Sequence, residues 1–365
     1  MSGEVRMRRL PLAVATVLAA ATLQAQAPAP SGQPTFRGGT TLVEVSAIVT
    51  RDGRPVTDLR AEEVTVLDNG KPQPLTAFER VDLGRGEQPS QRRDFVLVLD
   101  DWHIHPTRTA PAADAALAFV DALGPHDRLA VVNTAPTGEI ALDLTTGREP
   151  ARAAIRAFRG QKTGGTPMEA EFRTRRAMEV LGHVASAVRD DARERRAILL
   201  VSEGHDGFVQ EGNARLTPAG QAAFNDYMQV LREAAIGNVA IYTVDPRGLR
   251  APSTAHLPSS QMVNMGGSEN PQFTQATQIS NGEIFGSLAI LARNTGGIQT
   301  LWTNDLTKIF PQVLQDSRQY YRLAYAQPDP APGKKHPESR SIEVKVARRG
   351  LDVRARQRYA PVVGS

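Results

Sequence analysis

The chain has 365 residues, 41% hydrophobic and 22% charged, which allows one large or two ordinary globular domains and excludes a disordered protein. It contains no cysteine, which excludes disulfides, thiolate catalysis and cysteine-based zinc sites. Its formal net charge is only +4, too small an excess to favour nucleic acid as a partner.

The first 27 residues have the pattern of a secretory signal peptide. Three arginines precede the apolar run 10–23, and residues 25–27 (Ala-Gln-Ala) form a small-x-small cleavage site. The apolar run is short for a membrane span, so we expect export, to the periplasm or outside the cell, with no span left after signal removal. Removal of residues 1–27 takes away three arginines and one glutamate and lowers the net charge to +2. A linker rich in Pro, Ala, Ser and Gly follows at 28–38.

Short strand patterns lie at both ends of the mature chain. The N-terminal β segment 39–83 contains three of them, at 42–49, 64–67 and 73–81. The C-terminal segment 319–361 contains three more, at 320–325, 341–347 and 353–359, and turn signals such as Asp68-Asn69-Gly70 separate the strands. Three short strands are marginal alone, so we expect strands from the two ends to pair in one accessory β domain. Near the C-terminus, arginines alternate with apolar or neutral residues, which predicts a solvated strand face: Arg354, Arg356 and Arg358.

The central segment 92–318 alternates strand and helix patterns, which predicts an α/β fold with a parallel sheet. Its first strand, residues 94–99, is almost entirely apolar and is expected to be buried on both faces. Ligands of such sheets bind outside the carboxyl ends of the strands. Residues 250–283 are polar, without periodicity and rich in Pro, Gly, Ser and Gln, so we expect a flexible insertion there.

Three sequence segments within 92–318 occur in the order and spacing of a von Willebrand factor type A domain: Asp94–Asp100, Gly164-Gly165-Thr166 and Ile198–Gly204. The whole mature chain resembles the secreted bacterial VWFA-related proteins of the acidobacterial type. This resemblance implies a Rossmann-like, doubly wound, mostly parallel sheet, with an accessory β domain built from both chain ends. The flanking motifs that also fit this family are 66–73, 243–249, 320–325, 342–346 and 353–356.

The resemblance also implies a metal-ion-dependent adhesion site, in which oxygen ligands hold Mg²⁺ and leave one position for a partner's carboxylate. Asp100 and Thr166 match the family's ligands, and Glu203 replaces its second acid. Trp102 and Ile104 stand at the two serine positions and cannot ligate a hard cation. We therefore predict a degenerate site that binds Mg²⁺ weakly or binds no ion. The alternative is that Asp100 and Thr166 cap turns and helices.

A second constellation suggests a different chemistry. Asp101, His103 and His105 alternate along the chain, so an extended segment would place all three on one face. Two histidines and a carboxylate are the ligand set of catalytic zinc or non-haem iron, which would make the protein a metal-dependent hydrolase. Surface histidines on a loop are the simpler interpretation.

Other enzyme signatures are missing from the sequence, which has no nucleophile elbow, no phosphate-binding loop and no dinucleotide-binding glycine motif. We therefore expect a non-catalytic module that binds a protein or peptide at the carboxyl edge of the sheet, with the hydrolase as the alternative. The residues expected to form the ligand-binding rim are Asp101, Trp102, His103, His205 and Asp206.

Overall fold

The structure is a computed structural model, and it describes residues 41–84, 90, 92–135, 142–188, 195–205, 218–249, 287–300, 303–328, 339–359 and 361. Residues Thr40–Ser365 belong to one compact unit. The predicted signal peptide, the linker and the insertion at 250–283 lie outside the described residues. Within the described residues, no helix has both the length and the apolar character needed to cross a membrane.

The described residues form a mixed α/β structure with one parallel and two antiparallel sheets. The strands are β1 (Leu42–Arg51), β2 (Arg54–Pro55), β3 (Val64–Asp68), β4 (Lys71–Gln73), β5 (Leu75–Asp82), β6 (Asp94–Leu99), β7 (Arg128–Asn133), β8 (Arg196–Val201), β9 (Val239–Val244), β10 (Gln299–Thr300), β11 (Gln319–Ala326), β12 (Arg340–Val346), β13 (Asp352–Arg354) and β14 (Arg358–Tyr359). The helices are α1 (Thr109–Ala122), α2 (Glu149–Ala157), α3 (Pro167–Ala187), α4 (Pro218–Ile236), α5 (287–295) and α6 (Phe310–Asp316).

The parallel sheet has the strand order β7-β6-β8-β9-β10. Strands β6, β8 and β9 are buried along their whole length, which explains why they read as unbroken apolar runs in the sequence. Alternate residues of β6 face opposite sides: Leu97 packs in a core with α1, α2 and α6, and Val98 packs in a core with α3, α4 and α5. Helices therefore cover both faces of the sheet.

The two ends of the chain pair with each other, as the sequence predicted. Strand β1 is antiparallel to β11, with Val45 opposite Leu323, and β3 is antiparallel to β12, with Val66 opposite Val344. The two antiparallel sheets, β13-β1-β11-β5 and β14-β12-β3-β4, contribute side chains to one shared core. Together the two sheets bury more apolar surface than either set of short strands could bury alone, which stabilises both.

One buried carboxylate joins these two sheets. Asp68 ends β3 and is completely buried. Its Oδ2 accepts hydrogen bonds from the hydroxyls of Tyr325 and Tyr359, each at 2.9 Å, and its Oδ1 accepts one from Arg340 Nε at 2.6 Å. The turn that follows is left-handed at Asn69 and Gly70, as the Asp-Asn-Gly motif predicts.

Two predicted strands are each divided in the structure. The strand expected at 73–81 is interrupted at Pro74, which lacks the N–H needed to continue a ladder, so that β4 and β5 join different sheets. The strand expected at 353–359 is interrupted between β13 and β14, where Arg356 turns inward.

The expected solvated arginine face is wrong for Arg356, which is buried, whereas Arg354 and Arg358 are half-buried. Arg356 is buried and donates to the Ala235 carbonyl at 2.9 Å, in the last turn of α4, where the helix dipole favours a cation. Arg354 donates to Asp316 Oδ2 at 2.6 Å. These buried contacts attach the antiparallel sheets to α4 and α6.

Candidate functional site

The site is organised around Asp100, the first residue after β6. Its backbone N–H donates to the Val201 carbonyl at 3.0 Å, so β6 and β8 stay paired to their carboxyl ends. The order of strands reverses here, because the chain places β7 on one side of β6 and β8 on the other. Such a switch point is where open α/β sheets bind ligands.

The carboxylate of Asp100 is completely buried and accepts hydrogen bonds from two strand connections and a turn. Oδ1 accepts from Thr134 Oγ1 and lies at the same distance, 2.9 Å, from His103 Nδ1. Oδ2 accepts from Ser202 Oγ at 2.7 Å. His205 Nε2 also lies 3.2 Å from Oδ2, but without the alignment of a hydrogen bond.

A short 3₁₀ turn brings His103 to this carboxylate. Asp100 precedes the turn Asp101–His103, and side chains three residues apart eclipse each other in a 3₁₀ helix. The His103 ring then packs edge-on against the His205 ring, with centroids 4.7 Å apart, and its Nε2 lies 3.5 Å from Thr174 Oγ1. Both histidines are buried.

His205 has an unusual environment for an imidazole. Its backbone N–H donates to Ser287 Oγ at 3.0 Å, which fixes the chain after β8. Neither of its ring nitrogens has a hydrogen-bond partner within the described residues, although the side chain is fully buried. A buried nitrogen without a partner is costly, by about 1–3 kcal/mol.

Electrostatics set the charge state of the cluster. Burial alone would raise the pKa of Asp100, but the neighbouring imidazoles of His103 and His205 outweigh it and hold that pKa well below its usual value. Burial lowers the pKa of His205, and the Asp100 carboxylate offsets this effect only in part. The site therefore combines an anionic carboxylate with a neutral His205 imidazole, the forms in which these side chains ligate metals.

One ligand atom from each of Asp100, His103 and His205 lies within 4.8 Å of the others. The structure thus brings together one predicted metal ligand, Asp100, and two predicted rim residues, His103 and His205. Thr134 and Ser202, which the sequence analysis did not assign to the site, complete it as donors to Asp100. Each is the first residue after a strand of the parallel sheet, so the strand pattern alone places it at the carboxyl edge.

The other two residues predicted to hold Mg²⁺, Thr166 and Glu203, are each engaged in hydrogen bonds within the described residues. Thr166 is exposed at the N-terminus of α3, where it forms a reciprocal capping box with Glu169. Glu203 Oε1 accepts from the backbone N–H of His105 at 2.9 Å. Of the three predicted Mg²⁺ ligands, Asp100 alone belongs to the buried cluster.

The three residues considered for a hydrolase do not share one face. The Asp101 carboxylate turns towards the connection after β7, where it accepts from Asn133 Nδ2 at 3.0 Å and from the backbone N–H of Thr134 at 2.9 Å. Burial raises the pKa of Asp101. His105 is exposed, and its Nδ1 lies 2.8 Å from Thr107 Oγ1. Of the three, His103 alone joins the cluster.

An apolar surface lies beside the buried cluster. The half-buried Trp102 packs against Phe172 of α3, with ring centroids 5.8 Å apart. Phe172 is 58% exposed, and Met168, one helical turn earlier, is 79% exposed. We call Trp102, Met168 and Phe172 the edge patch. The last predicted rim residue, Asp206, lies outside the described residues.

No protein-family model and no curated protein matches this chain. Solved structures that resemble it include an aerotolerance-related membrane protein from Bacteroides fragilis NCTC 9343, with 13% identity and a TM-score of 0.33 over 62% of this chain and 98% of that one. The conserved hypothetical protein BatB from Bacteroides thetaiotaomicron has 17% identity and a TM-score of 0.30, covering 61% of this chain and 96% of that one. Likenesses this distant carry no argument about fold family or function.

Proposed function

We propose that this protein is an exported, non-catalytic module with a von Willebrand factor type A-like domain, and that it binds a protein or peptide at the carboxyl edge of its parallel sheet. The observation that carries the proposal is the edge patch. Large apolar side chains are rarely left exposed together without a partner, and Trp, Phe and Met are enriched where proteins bind one another.

The position of the patch supports the same conclusion. Trp102 belongs to the turn that directly follows Asp100, and Met168 and Phe172 lie on one face of the first turns of α3. The patch therefore lies at the edge where open α/β sheets bind ligands. The expected partner is an exported polypeptide that offers apolar side chains to this surface.

The fold supports a von Willebrand A-like assignment in two respects. The parallel sheet has helices on both faces, and its first strand is followed directly by Asp100, the residue that matches the family's leading ligand. Binding through the edge patch does not require the predicted magnesium site, because Thr166 and Glu203 are already engaged in hydrogen bonds with Glu169 and His105.

The test compares two exposed apolar positions. Two variants each carry one photo-crosslinking residue, in place of Phe172 or in place of Leu42. Leu42 is 52% exposed and lies on β1, in an antiparallel sheet. Each variant is mixed with the envelope fraction of the source organism and irradiated. The protein captured from position 172 is then purified, and its affinity for the parent, Phe172→Glu and Leu42→Glu chains is measured, with and without EDTA.

We expect Phe172→Glu to weaken binding at least about 30-fold, since hot-spot side chains contribute about 2 kcal/mol or more. Leu42→Glu should change the affinity less than twofold, and EDTA should leave binding in place. Equal capture at both positions, or equal affinity of the two variants, would exclude this edge as the binding surface.

A further inference from the structure

We propose that Asp100, His103 and His205 bind one Zn²⁺ ion, in a site that goes beyond the proposed binding function and does not depend on it. The first argument is geometric. One ligand atom from each side chain already lies within 4.8 Å of the other two. Tetrahedral zinc, with bonds of about 2.0–2.2 Å, needs its ligand atoms about 3.4 Å apart, so small side-chain rotations suffice.

The donor chemistry selects the metal. Two imidazoles and one carboxylate suit zinc and its first-row neighbours, whereas Mg²⁺ and Ca²⁺ prefer oxygen ligands throughout. The chain has no cysteine, so imidazole is the softest strong ligand that it can offer.

The second, independent observation is His205 itself. Its imidazole is buried and directed at Asp100, and neither ring nitrogen has a hydrogen-bond partner within the described residues. A metal bond to one nitrogen would remove this cost.

The surroundings of Asp100 have the features of a supporting shell. The hydroxyls of Ser202 and Thr134 donate to its two oxygens and fix the orientation of the carboxylate. Outer groups of this kind orient metal ligands and raise affinity.

The site links two connections of the sheet. Asp100 and His103 follow β6, and His205 follows β8, so one ion would tie these adjacent strand ends together at the switch point.

The experiment uses the full chain without a histidine tag, since a tag would itself bind zinc. Metal is removed with a chelator, Zn²⁺ is added back by calorimetric titration, and bound metal is counted by elemental analysis after dialysis. The variants are His103→Gln and His205→Gln, and the matched controls are the exposed histidines, as His105→Gln and His183→Gln.

We expect one zinc ion per parent chain, at least a 100-fold loss of affinity in each ligand variant, and less than a twofold change in each control. Excess Mg²⁺ should not displace zinc. Substoichiometric zinc in the parent, or a loss of affinity in the controls as large as in the ligand variants, would overturn the proposal.

A second measurement on the unaltered chain covers the case in which a ligand variant does not fold. The chain has seven histidines, and nuclear magnetic resonance of labelled imidazoles follows each during the zinc titration. Two imidazoles should shift together and saturate at one equivalent. A uniform response of the exposed histidines, or no response, would also overturn the site. Because both readouts concern metal alone, they leave the partner-binding proposal to its own test.

Discussion

Replacing Asp68 by Asn should be among the most damaging single changes in the antiparallel part of the structure. The carboxylate is fully buried and accepts from Tyr325, Tyr359 and Arg340, which lie on three different strands. Asn keeps the shape but removes the charge, and its NH₂ group replaces one of the two oxygens that now accept hydrogen bonds. The Arg340 guanidinium then loses its ion pair.

The magnitude follows from these contacts. Hydrogen bonds to a charged group contribute about 1.5–3 kcal/mol each, and breaking a buried ion pair by removing one partner costs about 3–5 kcal/mol. Because such contributions do not add, we expect Asp68→Asn to lower the free energy of unfolding by about 3–5 kcal/mol. That is a large fraction of the 5–15 kcal/mol that typically separates folded from unfolded proteins.

Urea unfolding, followed by circular dichroism and tryptophan fluorescence, measures the loss as a lower midpoint with an unchanged slope. Glu343→Gln is the matched control, because Glu343 lies in the same sheet as Asp68 and its pair with Lys345, at 3.4 Å, is solvent-exposed. This control should cost less than about 1 kcal/mol. If Asp68→Asn unfolds at the same urea concentration as the parent, the reasoning about this junction fails.

Two further predictions test the parallel sheet. A Cβ at Gly297 would lie 2.0 Å from the Ile241 carbonyl oxygen, so Gly297→Ala should lower the free energy of unfolding by more than about 2 kcal/mol, measured by thermal unfolding. Gly164→Ala is the control and should leave it unchanged, because a Cβ there meets no atom within 4 Å. Burial raises the pKa of Tyr242 from 10.0 to about 12, so the native state keeps a proton that the unfolded chain loses. The free energy of unfolding should therefore fall by up to about 2.7 kcal/mol between pH 10 and pH 12. Tyr242→Phe should remove this part of the pH dependence. If the variant's free energy of unfolding falls as steeply with pH as that of the parent, the prediction is wrong.

The candidate site shows how far sequence reasoning reaches. The buried run before Asp100 was enough to place this residue at the carboxyl edge of a parallel sheet, because strand burial and chain direction are local consequences of composition and order. The prediction that Asp101, His103 and His105 share one face was wrong, and the reason is also local. The segment forms a 3₁₀ turn instead of a strand, so its side chains repeat every three residues instead of every two.

Of the three metal ligands that the resemblance predicted, Asp100 alone belongs to the buried cluster with His103 and His205. Ile104, at one of the family's serine positions, is completely buried in the core beside α1. Thr166 is the N-cap of α3. The burial of Ile104 depends on neighbours from distant segments, which no spacing in the sequence reveals. The cap at Thr166 is local, and it is the alternative role that the sequence offered for this residue.

The sequence by itself determined the buried strands of the parallel sheet, the left-handed turn at Asn69 and Gly70, and which strand end carries Asp100, because these depend on residues close together in the chain. It also predicted that the two chain ends pair, since neither could bury its apolar face alone. Only the tertiary structure decided that Asp100 meets His205, more than a hundred residues away, and that Arg356 is buried instead of solvated. Contacts of that kind depend on the packing of whole elements and on loop paths, and a one-dimensional pattern contains neither.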